Sequence, residues 1–144
     1  MIAREPIYAA LFAQAAGAAG FATAARRLRH WSEVAPAEQP ALFMRQKGEI
    51  ATVPTLGAPT VWRLAVDFYL YAHSSDPYTA PAIFLNPLLD AVEAALAPLA
   101  ATGVQDLGLP AMVQHAYIAG RIVTDEGVLR DQAVAIVPVE ILCL

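Results

Sequence analysis

The alternation of apolar and polar positions is clearest in TVWRLAVDFYLYAH, Thr60 to His73. Trp62, Leu64, Val66, Phe68 and Leu70 share one parity, and Arg63, Ala65, Asp67, Tyr69 and Tyr71 share the other. A period of two over this length predicts a strand with one dry face and one more polar face. A shorter run, ALFMRQKGE (Ala41 to Glu49), predicts another strand, with Leu42 and Met44 on one face and Phe43 and Arg45 on the other. Ahead of it, FATAARRLRHW (Phe21 to Trp31) reads as a strand and SEVAPAEQP as a turn-rich link. Pro54, Gly57 and Pro59 break the pattern between Ile50 and Pro59, which reads as a mobile loop. Glu49–Pro59 is expected to be poorly ordered in an isolated subunit and ordered by neighbours. Near the end, Met112–Gly127 and Asp131–Leu144 form a hairpin, with Asp125, Glu126 and Gly127 supplying turn chemistry. In its second arm Val134, Ile136 and Leu142 face one way, and Val137, Val139 and Ile141 the other. Apart from Glu140 that strand is apolar on both faces, which suits a central or interfacial strand.

Two segments carry helical spacing. NPLLDAVEAALAPL begins with Asn86 as a good N-cap and Pro87 as a good first residue. Leu85, Leu88, Leu89, Val92, Leu96 and Leu99 make its buried stripe, and Asp90 and Glu93 favour its positive N-terminal end. The other segment, IYAALFAQAAGAAGFATAA, has no charge from Ile7 to Ala25 and is long enough to cross a bilayer. Its chemistry fits a membrane poorly. Ile7, Leu11, Phe12 and Phe21 together supply only about −2 kcal/mol of insertion free energy, which Gln14 and the glycines erode. A helix of a soluble fold fits better, opening at Glu5-Pro6 with Pro6 at its first position and closing near Ala19 with Gly20 as its left-handed C′ residue. Tyr8, Leu11, Phe12, Ala15 and Ala19 then form one stripe. A signal peptide is disfavoured because the basic region is a single Arg4 beside Glu5.

The predicted order is helix, three strands, helix, two strands. Hairpin-length links imply an α+β fold: a mostly antiparallel sheet of about five strands, with two main helices packed on one face. Residues 1–144 suit a single domain. Trp62, Leu64, Phe68, Leu89, Val92 and Leu96 are expected to pack between sheet and helices.

Composition adds one inference. Apolar residues make up 58% of the chain and charged residues 15%, against roughly 45–50% and about 25% in ordinary domains. An oligomer with core-like interfaces would absorb that excess; abundant alanine, which is not sticky, is the competing explanation. The net charge of −4 disfavours nonspecific nucleic-acid binding by the whole surface. The lone Cys143 permits no intrachain disulfide, as in a reducing compartment.

Candidate chemistry is sparse. The chain has no Gly-rich phosphate loop, nucleophile elbow or zinc-like Cys/His spacing. His30, His73 and His115 fall on separate predicted strands, and Cys143 reads as a packed small hydrophobe. Residues 74–77, SSDP, read as a capped turn. No catalytic, cofactor or metal residues are expected. The basic cluster Arg26, Arg27 and Arg29 stands out in an acidic chain. On a strand, Arg27 and Arg29 would share a face with Arg26 opposite. Three readings are open: a solvated edge, contact with an acidic partner subunit, or direct phosphate contact. For the second, Asp125, Glu126 and Asp131 are candidate acceptors. Arg45, Lys47 and Glu49 form a mixed-charge hairpin arm that could reach a neighbour in a ring.

The segments REPIYAALFA, RRLRHWSEVAPAEQPALFMRQKGE, TVWRLAVDFYLYAH, LNPLLDAVEAAL and DEGVLRDQAVAIVPVEIL together resemble the tail terminator (tail-completion, or minor tail) proteins of long-tailed bacteriophages and prophages. The resemblance spans nearly the whole chain and rests on strand and turn patterns. It implies a non-enzymatic α+β virion subunit, made in the host bacterial cytoplasm, that assembles into a hexameric ring at the head-proximal end of the tail tube. Such a ring stops tube polymerisation, docks the head's connector or stopper proteins, and lets DNA pass through its lumen without sequence-specific binding. Alternatives are another neck component, such as a head-completion or stopper protein, and a small α+β enzyme or ligand-binding domain.

Overall fold

The structure, a computed structural model, describes residues 2–126 and 130–144. Its elements run α1 (Arg4–Ala16), β1 (Thr23–Ala25), β2 (Ala41–Thr52), β3 (Val61–His73), α2 (Ala82–Ala95), β4 (Val113–Ile118), β5 (Val123–Glu126) and β6 (Gln132–Cys143). The six strands form one sheet ordered β1-β2-β3-β6-β4, with β5 also paired to β6. Both helices lie on the same face. There Leu64, Phe68 and Leu70 of β3 and Val137, Val139 and Ile141 of β6 meet Ile7, Tyr8 and Leu11 of α1 and Leu85, Val92 and Leu96 of α2. The α+β class and the central place of the last strand follow the alternation read from sequence. Of the expected core, Leu64, Phe68, Val92 and Leu96 are buried, and Trp62 and Leu89 are partly buried against them.

The sheet is mixed, because β1 runs parallel to β2. A parallel neighbour requires a crossover, since a tight hairpin can join only antiparallel strands. The crossover is residues 26–40, which contain two single 3₁₀ turns, Trp31–Glu33 and Pro36–Glu38. The expected strand over Phe21–Trp31 therefore stops at Ala25. Beyond it the Arg29 carbonyl accepts a hydrogen bond from the Tyr71 hydroxyl at 2.6 Å, and the His30 side chain caps the first 3₁₀ turn. The crossover lies over the face opposite the helices and builds a second small core there: Val34, Ala41, Phe43, Tyr71 and Val134, with Trp31, Tyr69 and Ile136 against them. Tyr69 and Tyr71, of the nominally polar parity of β3, are thus part of a second apolar layer.

The expected final hairpin is also more complex. Its first arm is split into β4 and β5, which occupy successive stretches of the same edge of β6. The break sits opposite Pro138. The Ala119 N–H donates to the Pro138 carbonyl at 2.9 Å, so the N–H that proline lacks also faces this edge. Gly120 turns the chain there with φ of +97°. Asp125 and Glu126 belong to β5 rather than to a turn; Gly127 lies outside the described residues.

Helix and loop boundaries shift as well. α1 begins at Arg4, so Pro6 is its third residue, where its missing N–H still costs no helical bond, and it ends at Ala16, where the Gly17 N–H returns to the Ala13 carbonyl, so Gly20 does not close it. α2 starts at Ala82, four residues before the expected cap Asn86, and Pro87 lies inside it. Pro87 leaves the Ile83 carbonyl without its usual helical donor. Leu99 lies past the helix and is exposed. The loop between β2 and β3 is shorter than expected, because Ile50–Thr52 pair with Val61–Arg63. No helix among the described residues is long and apolar enough to cross a membrane.

Candidate assembly interface

The β2–β3 hairpin projects past the rest of the sheet as an arm. β1 covers β2 only from Ala41 to Phe43, and β6 covers β3 no farther than Arg63. A β-bulge at Lys47 resets the phase of the arm, because Gln46 pairs with Val66 whereas Gly48 pairs with Ala65. Gln46 and Glu49 consequently share the helix face. Glu49 accepts from Arg4 Nε at 2.7 Å and from the Tyr8 hydroxyl at 3.1 Å, and the Arg4 guanidinium lies 4.6 Å from the Trp62 ring centre. Burial, helped by the adjacent Glu49 carboxylate, pushes the Tyr8 hydroxyl up to about 12. Glu49 therefore anchors the base of the arm to α1. Beyond this anchor, Ile50, Val53, Leu56 and Val61 are exposed, and Leu56 is fully so.

The other interface candidates separate into used and free groups. Arg29 makes a bidentate pair with Glu38 at 3.0 and 3.1 Å and donates to the Glu33 carbonyl at 2.7 Å. That pairing, with the Ala35 N–H, holds the Glu38 carboxyl below the usual range. Arg26 pairs with Glu5 and donates to Gln46 at 3.0 Å. Arg27 is exposed and makes no ion pair among the described residues. Because the chain has left strand geometry by Arg26, Arg27 and Arg29 do not share a strand face. Lys47 Nζ is 3.6 Å from Asp67 Oδ1, while Arg45, opposite Asp67 in register, is exposed and without an ion pair among the described residues. The Glu126 carboxylate accepts the Ala82 N–H at the start of α2. Asp131 is exposed, and its carbonyl accepts from the Ser74 N–H at 2.8 Å. Asp125 is exposed on the face opposite the helices. Within the chain, none of the three acids meets Arg27 or Arg29.

Asp125 stands at the rim of a groove of about 540 Å3 between the crossover and β5. Its floor is Tyr69 and Ile136, and its walls include Leu28, Trp31 and Val123. Sequence reading did not find this groove, because it exists only once the crossover folds over the sheet. The alternation of Tyr69 and Tyr71 with core residues was its available signal.

His30 and His115 serve local structure. His30 Nδ1 lies 2.6 Å from Ser32 Oγ, and His115 Nδ1 accepts the Gln105 N–H at 3.0 Å while its ring stacks on Tyr117. Among the described residues no group of three or more His, Cys, Asp or Glu could hold a metal ion. Cys143 is buried, and burial pushes its thiol up, away from thiolate chemistry. In the 74–77 segment, Asp76 accepts from the Tyr78 N–H and the Thr79 hydroxyl, both at 2.9 Å, which makes a side-chain-capped turn. No protein-family model matches the chain, and no curated protein matches it.

Proposed function

We propose that the chain is a structural ring subunit of the tail-terminator type. Copies assemble head to tail into a hexameric ring on the head-proximal end of a phage tail tube. The ring arrests tube growth, receives the connector or stopper protein of the head, and passes DNA through its lumen without reading its sequence. Its place is the neck of the virion, and it performs no catalysis. The observation that carries this reading is the placement of the exposed apolar surface. Part of it lies on a projecting hairpin tip and part beside an open groove on a distant part of the sheet, while Tyr78, Ile83 and Phe84 are exposed in and just before the first turn of α2. Surface patches of this kind mark protein contacts, and two different patches on one chain suit ring contacts, in which each copy uses one patch toward each neighbour. The excess of apolar over charged residues agrees with this, as does the resemblance in strand and turn pattern.

The test is electron microscopy of the purified protein alone and mixed with tail tubes. Rings seated at one end of tubes of arrested length are expected. Rings that bind the head connector and ignore tubes would reassign the protein as a stopper, and a monomer that binds neither would overturn the reading.

A further inference from the structure

We propose that the outer edge of the β2–β3 arm, from Gly48 to Val53, takes up β5 of a second copy of this chain as an added antiparallel strand, with Ile50 opposite Val123. The inference rests on the ring reading and names the contact that joins neighbours in the ring.

The sheet has an unpaired stretch at each of its edges. β2 has β1 beside it only from Ala41 to Phe43, and β5 has β6 on one side and no strand on the other among the described residues. The hydrogen bonds fix which backbone groups are left over. Just past the end of β3, the Ser74 N–H donates to the Asp131 carbonyl, so even-numbered residues of β3 face β6 and odd-numbered ones face β2. Val61, Arg63 and Ala65 therefore bond their register partners Thr52, Ile50 and Gly48. Glu49 and Ala51 turn their N–H and C=O groups away from the sheet. At the other edge the Ala119 N–H meets the Pro138 carbonyl, so even-numbered residues of β6 face β5. Val123 and Asp125 bond Ile136 and Val134, and the backbone groups of Thr124 point outward. Among the described residues these outward groups have no backbone partner.

An open strand edge is a template for another strand, and Gly48–Val53 carries neither proline nor lysine to blunt it. A two-stranded arm is also marginal on its own in water. Within one chain β3 and β6 lie between β2 and β5, so the two edges cannot meet. Between copies they match in direction, side chains and charge. β2, β3 and β6 alternate in direction and β5 is antiparallel to β6; two copies laid side by side with the same face up therefore bring β5 antiparallel to β2. Ile50 and Val123 are exposed and both lie on the face opposite the helices, so that this register joins two β-branched apolar side chains across the new pair. It also sets Glu49 opposite Thr124. A shift of two residues one way would set Glu49 against Glu126, a like-charge pair, and the other way would set Ile50 against Arg121. The two edges are different surfaces, so the contact is heterologous: each copy gives its arm to one neighbour and its β5 to the other. Repetition closes into a ring or runs on as a filament.

Two proteins test this, one carrying Ile50→Cys and one carrying Val123→Cys, with the native Cys143 left in the core. The backbone groups of both positions face their own sheets, so the proposed pair is non-hydrogen-bonded, with Cα atoms about 4.5 Å apart, within disulfide range. Mixed and oxidised, the two proteins are expected to form an Ile50→Cys/Val123→Cys disulfide, with little bridging in either protein alone. A disulfide between two Ile50→Cys copies would instead reveal two-fold pairing of arms and overturn the proposal. Absence of the mixed disulfide from a sample that sedimentation shows to be oligomeric, or a wild-type protein that stays monomeric at all concentrations, would also overturn it. Ala51→Pro removes an N–H that faces outward and leaves the ladder to β3 intact. It is expected to weaken self-association at least about tenfold, the equivalent of one lost hydrogen bond, with an unchanged melting temperature; unaltered association would sink the contact. Failure here is separable from failure of the ring function. Protein that caps tail tubes without the mixed disulfide removes the contact alone, whereas protein that forms the disulfide and never engages tubes removes the tail assignment alone.

Discussion

Glu126 Oε2 accepts the backbone N–H of Ala82 at 2.7 Å across 44 residues of sequence. The end of β5 thereby caps α2, which has no cap of its own because Pro81 occupies the N-cap position. The negative charge also meets the positive end of the helix. Glu126→Ala is expected to lower stability by about 1 kcal/mol, and Glu126→Gln, which keeps an acceptor, by less. Urea melts read both. Equal stability of Glu126→Ala and the parent would show that the cap contributes nothing.

Phe68 is fully buried in the middle of β3, between the two helices and β6. Phe68→Ala leaves a cavity that its cross-strand neighbour Met44 is too small to fill, and is expected to cost about 3–5 kcal/mol. Leu99→Ala, at an exposed position beyond α2, is expected to change stability by less than about 0.5 kcal/mol. Matched melting of the two variants would contradict the core described above.

These two sites mark what the sequence could and could not disclose. Phe68 was legible because a buried strand face repeats every second residue, whatever the strand pairs with. The Glu126 cap was not, because it depends on where β5 lies against α2, and neither position has a local pattern. The bulge at Lys47 had a signal, an isolated Gly48 inside a strand, and it decides that Glu49 faces α1 and not solvent. The split of β4 from β5 was signalled too, by Pro138 in an otherwise central strand. The parallel course of β1 had no signal of its own. Alternation records which face is dry and leaves strand direction open, so Phe21–Trp31 reads equally well as a hairpin arm.

Alkaline pH offers a third test. Burial pushes the hydroxyls of both Tyr8 and Tyr71 up to about 12, from about 10 in an unfolded chain. Between those values the unfolded state has lost the proton and the native state keeps it, so the unfolded state binds fewer protons. Stability is therefore intact below pH 10 and falls as pH rises toward 12, by on the order of 2 kcal/mol for each tyrosine. Denaturant melts from pH 9 to 12 should show this slope, and it should be shallower in Tyr8→Phe. An identical slope in that variant would remove Tyr8 from the account.

The last prediction separates two arginines that the sequence grouped together. Arg29 is committed inside its own chain, holding Glu38 and the Glu33 carbonyl and so fixing the crossover that roofs the second core. Arg27 is exposed and has no ion pair among the described residues. Reversing each charge should therefore have different consequences. Arg29→Glu places a carboxylate against Glu38, and should lower the melting temperature and speed hydrogen exchange between Leu28 and Gln39. Arg27→Glu should leave both unchanged, since surface substitutions without partners shift stability by less than about 0.5 kcal/mol. Only Arg27→Glu is then a clean probe of assembly. If an acid of a neighbouring subunit or of the tube protein meets Arg27, its reversal should impair ring formation or tube capping in a normally folded protein, and reversing Asp125 or Asp131 should restore a contact made between subunits. The pair itself would be worth only about 0–1 kcal/mol, so it would govern register and partner choice and would not supply the bulk of the affinity. Normal capping by Arg27→Glu would make this side chain a solvated surface charge.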